Sequence, residues 1–256
     1  MNDAALPRPL LAYKDPCFVD GEAARPLRIL SEYLAPMDAL SRADVHDTVV
    51  FFGSARLRPD GPLGRYYQDA RELARLVAEW ARSLPNGGQR LVVCTGGGGG
   101  IMEAANRGAA EAGARTMGLN ISLPMEQVPN PYLSPELSFE FHYFFMRKLW
   151  FAHLSRALIA FPGGFGTLDE LFEVLTLAQT GKFESPPLIL LYGPDYWREV
   201  IDFEALVRHG TISASDLELF RWVDSPREAL DLLRAALATE RAGAGPYFAH
   251  SRCSCP

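Results

Sequence analysis

Six short apolar runs, at residues 48–52, 91–94, 117–121, 157–161, 188–192 and 220–223, are each bounded by glycine, proline or charged residues. Runs this short and this continuous suit strands buried on both faces. Between them lie segments with apolar residues at helical spacing. Leu73, Leu76, Val77 and Trp80 form one such face within residues 63–84, and further helices are predicted at 168–180, around Tyr196 and Trp197, and at 226–237. Strands alternating with helices predict an α/β fold, a doubly wound parallel sheet. Leu27, Leu30, Tyr33 and Leu34 mark one amphipathic helix over 23–40 that precedes the sheet and packs on its outside. The expected organisation is an N-terminal arm and helix over 1–45, a core over 46–240 and a flexible tail over 241–256. Residues 1–21, rich in proline and turn formers, read as a surface arm.

The most informative stretch is ALIAFPGGFGTLDELFEVL, residues 157–175. An apolar run stops at Pro162, and Gly163, Gly164, Phe165 and Gly166 lead into a helical pattern, so it reads as strand, tight loop, helix. Glycine lets backbone amides approach a ligand closely. Thr167 followed by Glu170 fits a capping box that starts the helix there. Exposed amides and the helix dipole at this junction favour an anion. The plain alternative is that Thr167, Asp169 and Glu170 only cap the helix, since capping and dipole effects of roughly 0.5–2 kcal/mol justify such residues without chemistry.

A second strand, glycine loop and helix unit follows Thr95, with five consecutive glycines from Gly96 to Gly100 before IMEAANRG. Two such loops in a doubly wound sheet meet at the edge where ligands bind. Ser54, in the Gly53-Ser54-Ala55-Arg56 turn after the first strand, belongs to the same edge. What these loops lack narrows the ligand. No register of Gly96 to Gly100 completes the dinucleotide fingerprint, because Ile101 and Met102 occupy the third glycine position. Neither loop ends in the lysine and hydroxyl of a triphosphate P-loop, so a monophosphate fits better.

Near Met146 another helix is expected to open with Arg147 and Lys148 in its first turn. Cations there oppose the dipole unless an anion sits beside them. On that ground Arg147 is a functional candidate, whereas Lys148 reads as an exposed solubilising charge. Before it, Pro124, Pro129, Pro131 and Pro135 predict a long surface loop over the ligand edge, and residues 138–144 a short extended piece.

Composition removes other classes. The formal charge of -6 over 256 residues, with scattered arginines, argues against a nucleic-acid groove. No apolar run approaches the ~20 residues needed to span a bilayer, and no secretory leader is visible, so a cytoplasmic protein is expected. Cys17, Cys94, Cys253 and Cys255 lack zinc or CxxC spacing and read as reduced, while His46, His142, His153, His209 and His250 are scattered; no metal is expected.

PGGFGTLDE at 162–170, MRK at 146–148 and the GGG-rich loop opening a helix resemble the Lonely Guy family of nucleoside 5′-monophosphate phosphoribohydrolases, whose members were long mislabelled lysine decarboxylases. The resemblance runs from about residue 49 to 237, and FFGSAR with FHYFFMRK is similar to the longer bacterial subgroup. It implies a Rossmann-like fold, a homodimer or higher homo-oligomer, no cofactor, and hydrolysis of the N-glycosidic bond of AMP or a cytokinin riboside monophosphate to free base and ribose 5-phosphate. The family's two signature catalytic residues fall on Arg147 and Glu170. The expected substrate-binding set is Ser54, Gly97, Gly98, Gly99, Gly100, Glu103, Gly163, Gly164, Phe165, Gly166 and Thr167.

Physical chemistry agrees with that assignment. Cleaving a ribosyl C–N bond develops cationic character on the sugar, which a carboxylate stabilises while it orients water. Two other classes stand beside it. A noncatalytic nucleotide or cofactor carrier would need only the glycine loops. An amino-acid decarboxylase would need a Schiff-base lysine, and only Lys14, Lys148 and Lys182 exist.

Overall fold

The computed structural model describes residues 8–84, 91–123 and 128–239. The expected flexible tail, with Cys253, Cys255 and His250, lies outside them, as does Pro124. Seven strands form one all-parallel sheet: β1 (Asp47–Phe52), β2 (Leu91–Thr95), β3 (Thr116–Ile121), β4 (Ser138–Phe141), β5 (Ser155–Ala160), β6 (Leu188–Tyr192) and β7 (Phe220–Val223). Their order is β4-β3-β2-β1-β5-β6-β7. The chain therefore winds outward in one direction from β1 and in the other from β5. Val50 pairs with Leu158 and Phe52 with Ala160 across that central junction.

Alternate residues of each strand feed two cores. Val49 and Phe51 join Ala157, Ile159 and Leu190 on one face, under α3 (Gly64–Ser83), α4 (Ile101–Glu111) and α9 (Pro226–Thr239). Val50 and Phe52 join Leu158, Ala160 and Leu191 on the other. That face is covered by α2 (Arg25–Arg42), α5 (Phe144–Leu154), α6 (Phe165–Gln179), α7 (Pro194–Val200) and α8 (Phe203–Arg208). Burial on both sides is why the strands are unbroken apolar runs.

Three local differences from the sequence reading have clear causes. The N-terminal arm contains short helical turns, including α1 (Pro16–Val19), because the Asp15 side chain accepts the Cys17 amide at 3.0 Å and Pro16 occupies the first helical position. Of the face expected for helix α2, only Tyr33 packs against the core. Leu27, Leu30 and Leu34 are 48%, 49% and 43% exposed, while Ile29, Tyr33, Met37 and Leu40 meet the core. Helix α8 was not anticipated; its six residues are too few to show a period, although Asp202 caps it through the Ala205 amide at 2.8 Å.

The α2 extension also positions a catalytic candidate. Glu32 accepts the His142 and Tyr143 amides at 2.7 and 3.3 Å, immediately ahead of α5, and the Trp150 indole donates to its carbonyl at 3.0 Å. A carboxylate at the start of α5 offsets part of the unfavourable placement of Arg147.

Helices α3 and α4 approach closely enough that a Cβ at Gly108 would lie 1.9 Å from the Arg71 carbonyl oxygen. Gly→Ala within an exposed helix stabilises by roughly 0.5–1 kcal/mol. Here overpacking, at roughly 1–3 kcal/mol, outweighs that gain. Gly108→Ala is therefore expected to lower the urea midpoint, and an unchanged or higher midpoint would show that the helices can separate freely.

Candidate active site

The site lies at the carboxyl ends of β1, β2 and β5, where the direction of winding reverses and a crevice opens. Three loops meet there through backbone bonds. The Ser54 amide donates to Pro162 O at 3.0 Å, and the Ile101 amide donates to Ser54 O at 3.1 Å. Ser54 Oγ is turned back onto its own loop, accepting the Arg56 amide at 3.1 Å. Above these ties is a cavity of about 690 Å³ whose lining includes Ser54, Gly96, Arg147, Gly163, Gly164, Phe165, Gly166, Thr167 and Glu170.

The capping box expected at Thr167 and Glu170 does not form. Helix α6 begins three residues earlier, at Phe165, with Gly164 as its N-cap and no side chain capping it. Its first internal bond runs from the Leu168 amide to Gly164 O at 3.0 Å, leaving the preceding amides at the cavity wall. Thr167 packs inward instead: a Cβ at Gly163 would lie 2.2 Å from Thr167 Oγ1, so glycine is required there. From the other side Tyr196 of α7 donates its hydroxyl to Gly163 O at 2.9 Å.

Freed from capping, Glu170 meets Arg147 of α5. Arg147 Nη2 lies 2.6 Å from Glu170 Oε1, and the two side chains are only 10% and 12% exposed. Phe144 and Phe151 stand 5.4 and 5.7 Å from the guanidinium carbon. Burial pushes the Glu170 carboxyl up to about 7, against the downward pull of Arg147. The cavity floor thus holds a carboxylate that titrates near neutrality. Lys148, expected to be a free surface charge, instead bridges to Asp169 at 2.6 Å and Glu173 at 3.2 Å, two carboxylates that α6 brings within its reach. With α5 starting at Phe144, Lys148 also falls beyond its first turn.

The second glycine loop is placed differently from the first. Gly96 reaches the main cavity, whereas Gly99, Gly100 and Glu103 line a neighbouring one, and Gly97 and Gly98 line neither. Gly97 and Gly98 are buried because Asn130 donates to their carbonyls at 3.1 and 3.0 Å. Asn130 also donates to Asn106 Oδ1 at 2.8 Å, and Thr95 Oγ1 accepts the Gly97 amide at 2.9 Å. This polar brace was missed by sequence reading. A lone asparagine in a proline-rich loop gives no periodic signal, although Asn106 on the buried side of an alanine-rich helix could have raised the question. Met102, Ile121, Leu123 and Phe144 add an apolar wall that was likewise not anticipated.

Among the described residues no group of three or more His, Cys, Asp or Glu is gathered as for a metal ion, and no helix is long and apolar enough to cross a membrane.

The sequence profile of a family described as "Possible lysine decarboxylase" matches residues 102–233. A rice protein (Oryza sativa subsp. japonica) named probable cytokinin riboside 5′-monophosphate phosphoribohydrolase is 29% identical over 200 residues, covering 77% of this chain and 80% of its own. A Rhodococcoides fascians protein named cytokinin riboside 5′-monophosphate phosphoribohydrolase is 30% identical over 142 residues, 54% of this chain and 66% of its own. Among solved structures, the Moco carrier protein of Chlamydomonas reinhardtii aligns with a TM-score of 0.51 at 22% identity, over 76% of this chain and 99% of that one. A structural-genomics protein aligns with a TM-score of 0.52 at 20% identity, over 74% and 99%. At those identities the structural likeness is one of fold.

The raised Glu170 pKa makes a stability prediction. Between the ordinary value of 4.5 and about 7 the folded protein keeps a proton that the unfolded chain has released, so stability falls as pH rises through this window. The loss is at most about 3 kcal/mol at 1.36 kcal/mol per unit. In urea unfolding at pH 5 and pH 8, Glu170→Gln should show a smaller fall than the wild type, whatever the offset from leaving Arg147 without its partner. Parallel pH dependences would mean that Glu170 is ionised throughout.

Proposed function

Because this chain belongs to the family described as possible lysine decarboxylase, the Lonely Guy family, we propose that it hydrolyses the N-glycosidic bond of a nucleoside 5′-monophosphate. The substrate is AMP or a cytokinin riboside monophosphate, and the products are free base and ribose 5-phosphate. The observation that carries this reading is the buried Arg147–Glu170 pair on the floor of a cavity whose rim is an uncapped helix N-terminus.

In this reading the 5′-phosphate rests on the amides of Phe165, Gly166 and Thr167 and against the loop of Ser54, where amides and dipole favour an anion. The ribose then lies over Glu170, one turn further along α6. Phosphate binding holds the sugar in place and contributes alignment to the reacting carbon. As the C–N bond lengthens, the Glu170 carboxylate stabilises the oxocarbenium-like sugar and orients the attacking water, taking its proton, while the base leaves with the electron pair of the broken bond and takes up a proton from solvent. Arg147 holds that carboxylate ionised and in place through its donor fork. The base is left to the wall of Met102, Ile121, Leu123 and Phe144, which offers apolar contact to a flat ring.

The decarboxylase chemistry in the family's description lacks its lysine at this cavity. Lys148 does not line it. Burial pulls the Lys148 pKa down, but its bonds to Asp169 and Glu173 outweigh that and raise it, which keeps the amine protonated and unreactive toward carbonyls. The carrier reading, which shares the fold, is separated from hydrolysis by turnover.

We further propose that the enzyme is a cytoplasmic homodimer. Phe145, Leu149 and Phe172, exposed at 50%, 39% and 38% on α5 and α6, support a subunit contact beside the site. The free thiols of Cys17 and Cys94 suit a reducing compartment.

Purified protein incubated with nucleoside 5′-monophosphates and the matching nucleosides should release base, followed by chromatography, from the monophosphates alone. Glu170→Gln should cut turnover by ~10²-fold or more while the nucleotide still binds. A well-folded Glu170→Gln enzyme with near-normal turnover would sink the mechanism.

The pH profile is a separate expectation. Because the ionised carboxylate acts, kcat/KM should climb as pH rises toward about 7 and level off above it. Arg147→Met should move the inflection to higher pH, since Arg147 lowers the Glu170 pKa. An inflection that stays put in this variant would remove Arg147 from the role given to it.

A further inference from the structure

Next to the main cavity, and sharing Ala55 and Arg56 with it, is a second cavity of about 650 Å³ whose lining includes Arg58, Tyr67, Gly99, Glu103 and Arg107. Three guanidinium groups on one small cavity are unexpected in a chain of net charge -6. Their charges are incompletely matched. Arg107 lies 2.9 Å from Glu111, but Glu111 also takes two bonds from Arg71, each 2.7 Å. Among the described residues, Arg56 and Arg58 have no carboxylate partner within ion-pair distance. The one carboxylate lining the cavity, Glu103, accepts the hydroxyl of buried Tyr67 at 3.0 Å. Glu103 is thus fixed against Tyr67, and the mouth is left to the arginines.

We propose that this second cavity is an annex of the nucleotide site that binds a phosphate group. Its position beyond Arg56 suits the distal phosphate of a nucleoside 5′-diphosphate whose first phosphate rests on the start of α6; free inorganic phosphate offers the same chemistry. Guanidinium forks match the oxygens of a phosphate dianion, and Arg56 and Arg58, without a carboxylate partner among the described residues, are placed to hold it. Gly99 has no side chain to obstruct the cavity on the loop side. The inference rests on the proposed nucleotide site only for where the first phosphate sits.

Arg58 is the residue to change, since it lines the annex and not the main cavity. ADP, AMP and inorganic phosphate are titrated calorimetrically, at low ionic strength because the arginine is exposed, into Glu170→Gln protein with and without Arg58→Gln. ADP is expected to bind at least tenfold tighter than AMP and to lose about tenfold with Arg58→Gln, while AMP changes less than twofold. If ADP and AMP bind alike but phosphate binding disappears with Arg58→Gln, the annex holds and its ligand is free phosphate. If none of the three ligands responds to Arg58→Gln, the annex is overturned. Base release from AMP is followed in parallel on otherwise wild-type protein with and without Arg58→Gln. Absence of turnover with an intact Arg58 effect defeats the hydrolase reading alone, and normal turnover with no Arg58 effect defeats the annex alone.

Discussion

The site depends on the reversal of winding between β1 and β5. Helix α3, after β1, goes to one face of the sheet, and α6, after β5, goes to the other, so no helix covers the carboxyl ends of these two strands. Backbone alone closes the gap beneath. The Ser54 amide reaches Pro162 O, Ile101 reaches Ser54 O, and Phe161 reaches Phe52 O at 2.8 Å. Because buried amides must be paired, these bonds fix the three loops relative to one another, and the cavity takes its shape from them.

Electrostatics then sets the chemistry. Arg147 sits at the wrong end of α5 for the helix dipole and is nearly buried, two placements that cost free energy separately. Glu170 answers the charge, and Glu32 answers the helix end. A buried pair of this kind seldom adds net stability over a well-packed apolar pair, because desolvation consumes much of the Coulombic attraction. On the cavity floor, burial raises the Glu170 pKa to about 7 and Arg147 limits that rise, a perturbation that marks the pair as a candidate site.

Neighbouring carboxylates have been given separate tasks by direction alone. Asp169 and Glu173 turn toward Lys148 and tie α5 to α6, while Glu170 turns into the cavity. The same division runs through the glycine loops. Gly163 and Gly164 present backbone to the cavity, whereas Gly97 and Gly98 give their carbonyls to Asn130 and serve the brace behind it. A loop of five glycines therefore adds structure to the site as much as surface.

The strands, their parallel arrangement and the junction at residues 162–167 were legible in the sequence, because burial on both faces demands unbroken apolar runs and a sharp strand-to-helix turn demands glycine. The motif residues that carry the family resemblance, Arg147 and Glu170, were legible as well. What each side chain points at was not. Thr167 and Glu170 have the spacing of a capping box, and only the start of α6 at Phe165 turns them away from it. Lys148 looked solvated until α6 brought Asp169 within its reach. Glu32, Asn130 and Tyr196 act across 110, 33 and 33 residues of chain on His142, Gly97 and Gly163. Local sequence encodes period, turn and charge; the partner of a polar group is chosen by how elements pack, since a buried donor bonds whichever acceptor the tertiary fold brings within about 3 Å.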